Sequence, residues 1–190
     1  NTRRYLLASR YGFDPSHDLV PVSQMLEVDR DALARYAEAG EKALAAYTAY
    51  DYPVIVHTLN SLATVDLSAF YFDVSKDRLY TFGAASTARR SAQTAMYRIV
   101  EGLVRLLAPV LPVTTDELWR TLPGARADSV HLSDFPDDLG SLRDHALVER
   151  WRRLIDVRVA VNAALEERRQ QKVIGTPLEA RVAIRANGDV

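Results

Sequence analysis

The 190-residue sequence contains no cysteine, and this absence narrows the chemistry that it can support. Disulfide bridges, zinc–thiolate sites and cysteine nucleophiles are all excluded. The four histidines are too far apart in the sequence to form a local pair of metal ligands: they are His17, His57, His131 and His145. The sequence therefore predicts no metal site within this chain.

Long apolar runs and an excess of charge are missing as well. No run approaches the roughly 18 apolar residues of a membrane-spanning helix, and there is no signal-peptide pattern, so we expect a cytoplasmic protein without a membrane partner. The 24 Lys and Arg residues nearly balance the 25 Asp and Glu residues, which gives a formal net charge of -1. A nucleic-acid-binding function would therefore have to rest on a local basic patch.

The sequence does contain strong helical periodicity. Apolar residues recur at helical spacing in the segments 1–11, 29–50, 53–62, 65–80, 86–108 and 142–171, and Asp66 and Ser68 are candidate points of interruption in the helix that begins at Pro53. Residues 123–141 are rich in Pro, Gly and Asp and are predicted to form a surface loop. The stretch "LEARVAI" near the C-terminus alternates apolar and polar residues, which is typical of a strand. We therefore predict an all-α helical bundle with a short strand-forming segment at the C-terminus that begins an α/β extension.

The stretch "STARRSAQTAMY" carries the most informative side chains. Ser86 is predicted to cap a helix whose apolar face packs in the core. Arg90 and Tyr97 fall on the opposite side with Gln93 beside them, and we expect this side to face solvent. Guanidinium, amide and aromatic groups suit single-stranded RNA, because they bind phosphates, base edges and base planes. A merely solvated face is the alternative, although Arg90 is unfavourable to the helix dipole at this position.

Other candidates for catalysis are weak. His57 lies among apolar residues and is expected to be structural, while Asp73 and Asp77 are expected to pair with neighbouring basic residues. A glycine-rich phosphate loop and a Ser-His-Asp arrangement are both missing. Residue chemistry alone leaves an RNA-binding helical domain and a helical protein-interaction domain open, and disfavours a self-contained enzyme.

Five stretches, taken in order, resemble the C-terminal half of isoleucyl-tRNA synthetase, a class I aminoacyl-tRNA synthetase: "TVDLSAFYFDVSKDRLY", "RRSAQTAMY", "RLLAPVLPVTTDELW", "ERWRRLIDVR" and "KVIGTPLEA". The resemblance covers nearly the whole chain, including the opening "NTRRYLL". Valyl-tRNA synthetases share the fold and the "LLAPVLP" pattern, and their anticodon domain is an alternative. Because the chain starts without Met and inside a helical pattern, we expect it to be a segment of a longer protein.

The resemblance implies a helical anticodon-binding domain over residues 1–172, with 173–190 as the start of a C-terminal α/β junction. The parent would be a monomeric, ATP- and Mg-dependent ligase that joins isoleucine to its tRNA, with upstream catalytic and editing domains. Some bacterial relatives also carry a zinc-binding C-terminal tail. Since neither an HIGH-type nor a KMSKS-type motif is present, this segment is expected to lack a catalytic centre and to need no cofactor.

The resemblance also suggests which residues bind the anticodon stem-loop of isoleucine tRNA. Asn1 and Arg4 resemble, by position, anticodon-reading residues of the related methionine enzyme, although their spacing is one residue shorter. Arg90 is expected to bind phosphate, while Gln93 and Tyr97 are expected to contact a base edge or stack on a base. The sixth predicted tRNA-binding residue, expected on the RNA backbone, is Lys172.

Overall fold

The computed structural model describes residues 12–185, and these form two compact units that divide between Asp144 and His145. Helices dominate both units. The helices are α1 (Glu27–Thr48), α2 (Tyr52–Ser61), a π-helical segment (Leu62–Tyr71), α3 (Phe72–Thr81), α4 (Thr87–Leu107), α5 (Pro112–Trp119), α6 (Leu139–Leu142) and α7 (His145–Gln170), with short 3-10 helices at Val22–Gln24, Val130–Leu132 and Pro177–Glu179.

The helices predicted within residues 29–108 are confirmed, with one difference, while the helix predicted for residues 1–11 lies outside the described residues. Pro53 lies in the first turn of α2, where its missing N–H costs little, and the Asp51 carboxylate accepts a hydrogen bond from Val54 N at 3.2 Å. Asp66 and Ser68, the candidate points of interruption, do not break the helix, which continues from α2 into α3 through the π-helical segment. There the Ser68 hydroxyl donates to Ala63 O, five residues earlier, at 2.7 Å. A side-chain hydrogen bond therefore accompanies the wider turn of the π-helical segment.

The main core of the first unit lies among α1, α2, the π-helical segment, α3, α4 and α6. Its largest fully buried apolar and aromatic side chains are Tyr36, Tyr71, Leu33, Ile55, Leu67, Met96, Ile99 and Leu106. A smaller cluster joins α4 to α5 through Val100, Val104 and Trp119, together with Val130 of the loop. The segment 123–141 is therefore not purely a surface loop, because Val130 is buried.

The second unit contains α7 and the segment that follows it. As expected from its length without Pro or Gly, α7 is the longest helix among the described residues. The predicted strand at "LEARVAI" is not supported: Pro177–Glu179 is a 3-10 helix and residues 181–185 have no regular structure. The alternation of apolar and polar residues would give a strand one apolar face. A strand also needs a second strand that hydrogen-bonds to its backbone, and residues 12–185 contain none.

Candidate nucleic-acid interface

Arg90 lies in the first turn of α4 and is held by the loop that precedes α1. Its guanidinium donates to Gly12 O at 2.5 Å and to Gln93 Oε1 at 3.0 Å, and it forms an ion pair with Asp18 Oδ1 at 3.2 Å. It also lies 6.0 Å from the ring centroid of Phe13, within cation–π range. Arg90 is therefore pre-positioned, and its charge is shared with Asp18.

The expectation that this side of α4 faces solvent is wrong. Gln93 is only 2% exposed and Thr94 is fully buried, because the loop over residues 12–26 packs on this side. The loop is fixed by its own backbone: Val20 N donates to Thr94 Oγ1 at 3.0 Å, and Leu26 N donates to Ser91 Oγ at 2.9 Å. A helical wheel cannot reveal a loop that covers a polar face, so this burial was missed.

Tyr97 is half-buried beneath the same loop. Its ring centroid lies 5.7 Å from that of Phe13, and its hydroxyl accepts a hydrogen bond from Arg126 Nη2 at 3.3 Å. Arg126 in turn stacks over Trp119, with its Cζ atom 4.6 Å from the ring centroid. These contacts orient Tyr97 as part of a packed aromatic and guanidinium layer rather than as a free platform for stacking.

A surface cleft of about 330 Å³ opens where the loop meets the start of α4. Ser86 occupies the N-cap position without a side-chain cap bond, so the first N–H groups of α4 are not satisfied by it. The cleft thus combines a helix N-terminus with imidazole, amide, hydroxyl and guanidinium groups, and with the carboxylate of Asp18. Its lining residues are His17, Asp18, Leu19, Val20, Pro21, Gln24, Ala85, Thr87 and Arg90.

Exposed aromatic side chains lie at the C-terminal end of α3 and directly after it. Tyr80 is 62% exposed and Phe82 is 44% exposed, and Arg89 Nη1 donates to Phe82 O at 2.9 Å. Sequence reasoning did not select these aromatics, although "LYTF" ends only seven residues before Arg89. This end of the first unit therefore brings together exposed rings, the cleft and arginine side chains, which are the groups that bind single-stranded RNA.

A buried ionic network supports this end from beneath. Arg78 binds both carboxylate oxygens of Asp29 at 2.8 Å each, and its Nη2 also donates to Ser75 Oγ at 3.1 Å. The Tyr71 hydroxyl donates to Asp29 Oδ1 at 2.8 Å, and Ser91 Oγ donates to Oδ2. Burial, reinforced by the negative charge of Asp29, raises the pKa of Tyr71.

Sequence reasoning missed this network, although one signal was present. Tyr71, Ser75 and Arg78 recur at i, i+4 and i+7, which places them on one helical face. The expected surface pairing is confirmed only for Asp73, whose Oδ1 lies 2.9 Å from Lys76 Nζ. Arg78 instead binds Asp29 on α1, and in this way ties α3 to α1 and α4.

A second ionic group joins α1 to the π-helical segment. Arg35 pairs with Asp31 at 2.9 Å and with Asp66 at 3.0 Å. Desolvation raises the pKa of Asp31 to about 6, against the opposing effect of Arg35. One carboxylate oxygen of Asp31 is buried without a hydrogen-bond partner, which favours the protonated form.

The remaining predicted residues lie elsewhere. Asn1 and Arg4 lie outside the described residues. Lys172 belongs to the second unit, follows the end of α7, is exposed and has a positive φ of 57°. His57, which was expected to be structural, is exposed on α2. Within residues 12–185, no group of three His, Asp or Glu side chains is arranged to hold a metal ion, and no helix is long and apolar enough to span a membrane.

Comparison with known proteins gives a consistent result. The family described as "Anticodon-binding domain of tRNA ligase" matches residues 29–184. An isoleucine–tRNA ligase from Syntrophotalea carbinolica is 48% identical over 186 residues, which are 98% of this chain and 20% of that protein. Isoleucine–tRNA ligases from Geobacter sulfurreducens and Moorella thermoacetica are 46% and 45% identical over 98% and 100% of this chain, and over 20% and 21% of their own lengths. The chain thus spans about a fifth of the length of these relatives.

Proposed function

This chain belongs to the family of anticodon-binding domains of tRNA ligases, and we propose that it recognises the anticodon stem-loop of isoleucine tRNA. In this role it positions the tRNA so that the parent ligase can charge it with isoleucine. The family match over residues 29–184 is the observation that carries the anticodon-binding role, and the isoleucine–tRNA ligase relatives support isoleucine tRNA as the substrate. The anticodon domain of a valine–tRNA ligase and a helical protein-interaction domain are the alternatives.

The chemistry of the parent enzyme belongs to other parts of its chain. The ATP- and Mg-dependent activation of isoleucine, and any editing, would take place in upstream catalytic and editing domains of a monomeric cytoplasmic enzyme. We propose that this chain serves the parent as an anticodon-binding domain, without a catalytic or cofactor-binding role of its own. We propose residues 1–172 as the RNA-binding domain and residues 173–190 as the start of a C-terminal junction, where the parent could continue into a zinc-binding tail.

The end of the first unit around the cleft supports the RNA-binding role. Arg90 would fix a phosphate, and the exposed rings of Tyr80 and Phe82 offer planes on which unpaired bases can stack. Arg89 and the N-terminus of α4 add positive potential at the same place. Gln93 and Tyr97 would act from beneath this surface, since Gln93 orients Arg90 by its 3.0 Å hydrogen bond.

The other proposed contacts are made by residues further along the chain or before the described part. Asn1 and Arg4 remain proposed base contacts. Lys172 remains a proposed contact to the RNA backbone, and its exposure allows this role. Each can be tested by alanine substitution in the binding assay described next.

Fluorescence anisotropy with labelled anticodon stem-loops tests the proposal. The 190-residue chain is titrated with isoleucine, valine and methionine stem-loops across a salt series. Preferential binding of the isoleucine loop, weakening as salt rises, is the expected result. A preference for the valine loop would support the first alternative, and no binding of any loop at low salt would reject an RNA-reading role for this chain.

A further inference from the structure

We propose that Arg126, in the loop between α5 and the 3-10 helix at Val130–Leu132, is a positioning residue that holds Arg90 in place through Tyr97 and Phe13. This inference rests on the proposed function, since Arg90 is the proposed phosphate contact. Arg126 is not among the residues that line the cleft. It therefore acts on RNA binding through contacts within the first unit and not by touching the RNA.

Arg126 is fixed by an aromatic ring and by two oxygen atoms. Its Cζ atom lies 4.6 Å from the ring centroid of Trp119, well within cation–π range. Its Nη2 donates to the Tyr97 hydroxyl at 3.3 Å and to Pro123 O. The Trp119 ring is itself buried, and its Nε1 donates to Ala127 O at 2.8 Å. The guanidinium is therefore held in one orientation, with Tyr97 as its side-chain acceptor.

The rest of the Arg126 guanidinium argues against packing as its only role. Its Nε and Nη1 atoms are buried and have no hydrogen-bond partner among the described residues. A buried N–H group without an acceptor is unfavourable, and a methionine or leucine would cover Trp119 without this cost. Arginine alone supplies a flat cation for the ring and a directed donor for Tyr97 at the same time. The residue type thus fits a role in orienting Tyr97.

Tyr97 transmits this orientation to the residues that hold Arg90. Its ring centroid lies 5.7 Å from that of Phe13, which is buried. The Phe13 ring centroid in turn lies 6.0 Å from Arg90 Cζ, and the preceding residue, Gly12, accepts a hydrogen bond from Arg90 Nη1. A continuous series of contacts therefore runs from Arg126 to Arg90.

Gly124 provides a second contact between the same two loops. Its φ is 97°, in the left-handed region that favours glycine. A Cβ atom at this position would lie 2.9 Å from Pro15 Cγ and 3.7 Å from the Tyr97 hydroxyl oxygen. The loop that carries Arg126 thus lies directly against the loop over residues 12–26, which supplies the partners of Arg90.

A double-mutant cycle between Arg126 and Arg90 tests the inference. Binding of the labelled isoleucine stem-loop is measured by anisotropy for the wild-type chain, Arg126→Ala, Arg90→Ala and the double variant. We expect Arg126→Ala to weaken binding several-fold in the wild-type chain and to have no further effect in Arg90→Ala, because it acts through that residue. Arg120→Ala, which removes an exposed arginine nearby in sequence, is the matched control and should leave binding unchanged. Equal weakening by Arg126→Ala in both backgrounds overturns the inference.

Two conservative variants separate position from charge, and they carry the test if Arg126→Ala does not fold. Arg126→Lys keeps the positive charge but cannot lie flat on Trp119 while donating to Tyr97, so binding should remain weakened. Tyr97→Phe keeps the ring and removes only the hydroxyl that accepts from Arg126, and it should also weaken binding. Wild-type binding by Arg126→Lys would show that charge alone matters, and wild-type binding by Tyr97→Phe would show that the hydrogen bond is irrelevant; either overturns the inference.

The NMR signal of the Arg90 Nε–H group gives a readout that needs no RNA. We expect this signal to shift or broaden in both Arg126→Lys and Tyr97→Phe, because the Arg90 guanidinium is then held less firmly. An unchanged signal in both variants overturns the inference. If Arg90→Ala leaves stem-loop binding unchanged, the proposed phosphate contact fails, and the NMR comparison still decides whether Arg126 positions Arg90.

Discussion

Arg90 and Asp18 form an ion pair of 3.2 Å at the mouth of the cleft. The effect of Asp18 on Arg90 differs between two possible roles of the arginine. If the guanidinium binds RNA phosphate, Asp18 competes with the RNA for it. If the guanidinium only anchors the loop, Asp18 helps it do so.

Asp18→Asn tests these roles because it removes the charge and keeps a similar shape. We expect equal or tighter binding of the isoleucine stem-loop, since the competing carboxylate is gone. Arg90→Ala is expected to weaken binding of all stem-loops and to reduce the salt dependence by about one unit of slope. Anisotropy across a salt series measures both. Arg120→Ala is the control, because this exposed arginine follows the end of α5 and is not part of the cleft. Parallel weakening by Asp18→Asn and Arg90→Ala would support anchoring alone.

Gly102→Ala should strongly destabilise the first unit. A Cβ atom at this position would lie 1.6 Å from the hydroxyl oxygen and 2.5 Å from Cζ of the buried Tyr36 ring. Overpacking of a core typically costs about 1–3 kcal/mol, and a clash with a rigid ring belongs at the upper end. Urea denaturation measures the change in the free energy of unfolding. Gly83→Ala, which meets no atom within 4 Å, should change it little; a similar loss for both variants would contradict the close-packing explanation.

Asp29→Ala should be among the most damaging single charge removals in the chain. It leaves the Arg78 guanidinium, only 12% exposed, without its main partner beneath α4. Removing one member of a buried ion pair typically costs about 3–5 kcal/mol. Asp73→Ala removes an ion pair in which both side chains are nearly half exposed, and should cost less than about 1 kcal/mol. Thermal or urea unfolding measures the loss of stability. Similar losses for the two variants would show that the buried network does not stabilise the first unit more than a surface ion pair does.

The raised pKa of Asp31 predicts that the stability of the first unit depends on pH in mildly acidic solution. Its pKa is about 6 in the folded protein, against an ordinary value of 3.8, so the folded state holds the proton more tightly. Between these values the free energy of unfolding should therefore fall as pH rises, by roughly 2–3 kcal/mol from this group. The difference between the wild-type chain and Asp31→Asn isolates it from other carboxylates. A difference that stays constant from pH 4 to pH 7 would contradict the raised pKa.

The helices of the first unit could be predicted because their signals are local. Pro53, Ser86 and the apolar periodicity of α4 act within a few turns and need no distant partner. The candidate site was less predictable. Its sequence position marks Arg90 as an unusual N-terminal arginine, and its role in RNA binding stays a prediction, but its pairing with Asp18 depends on a loop about seventy residues away in sequence.

The sequence by itself determined the helical class, the family and the positions of the main helices. Periodicity, capping and motif order depend only on residues that are close together in sequence or on their order in the chain. Tertiary structure decided what each polar residue does. The loop over residues 12–26 buries Gln93 and Thr94, Arg78 turns inward to Asp29, and "LEARVAI" finds no strand to pair with among the described residues. Exposure and pairing depend on neighbours that are distant in sequence, and therefore only folding assigns them.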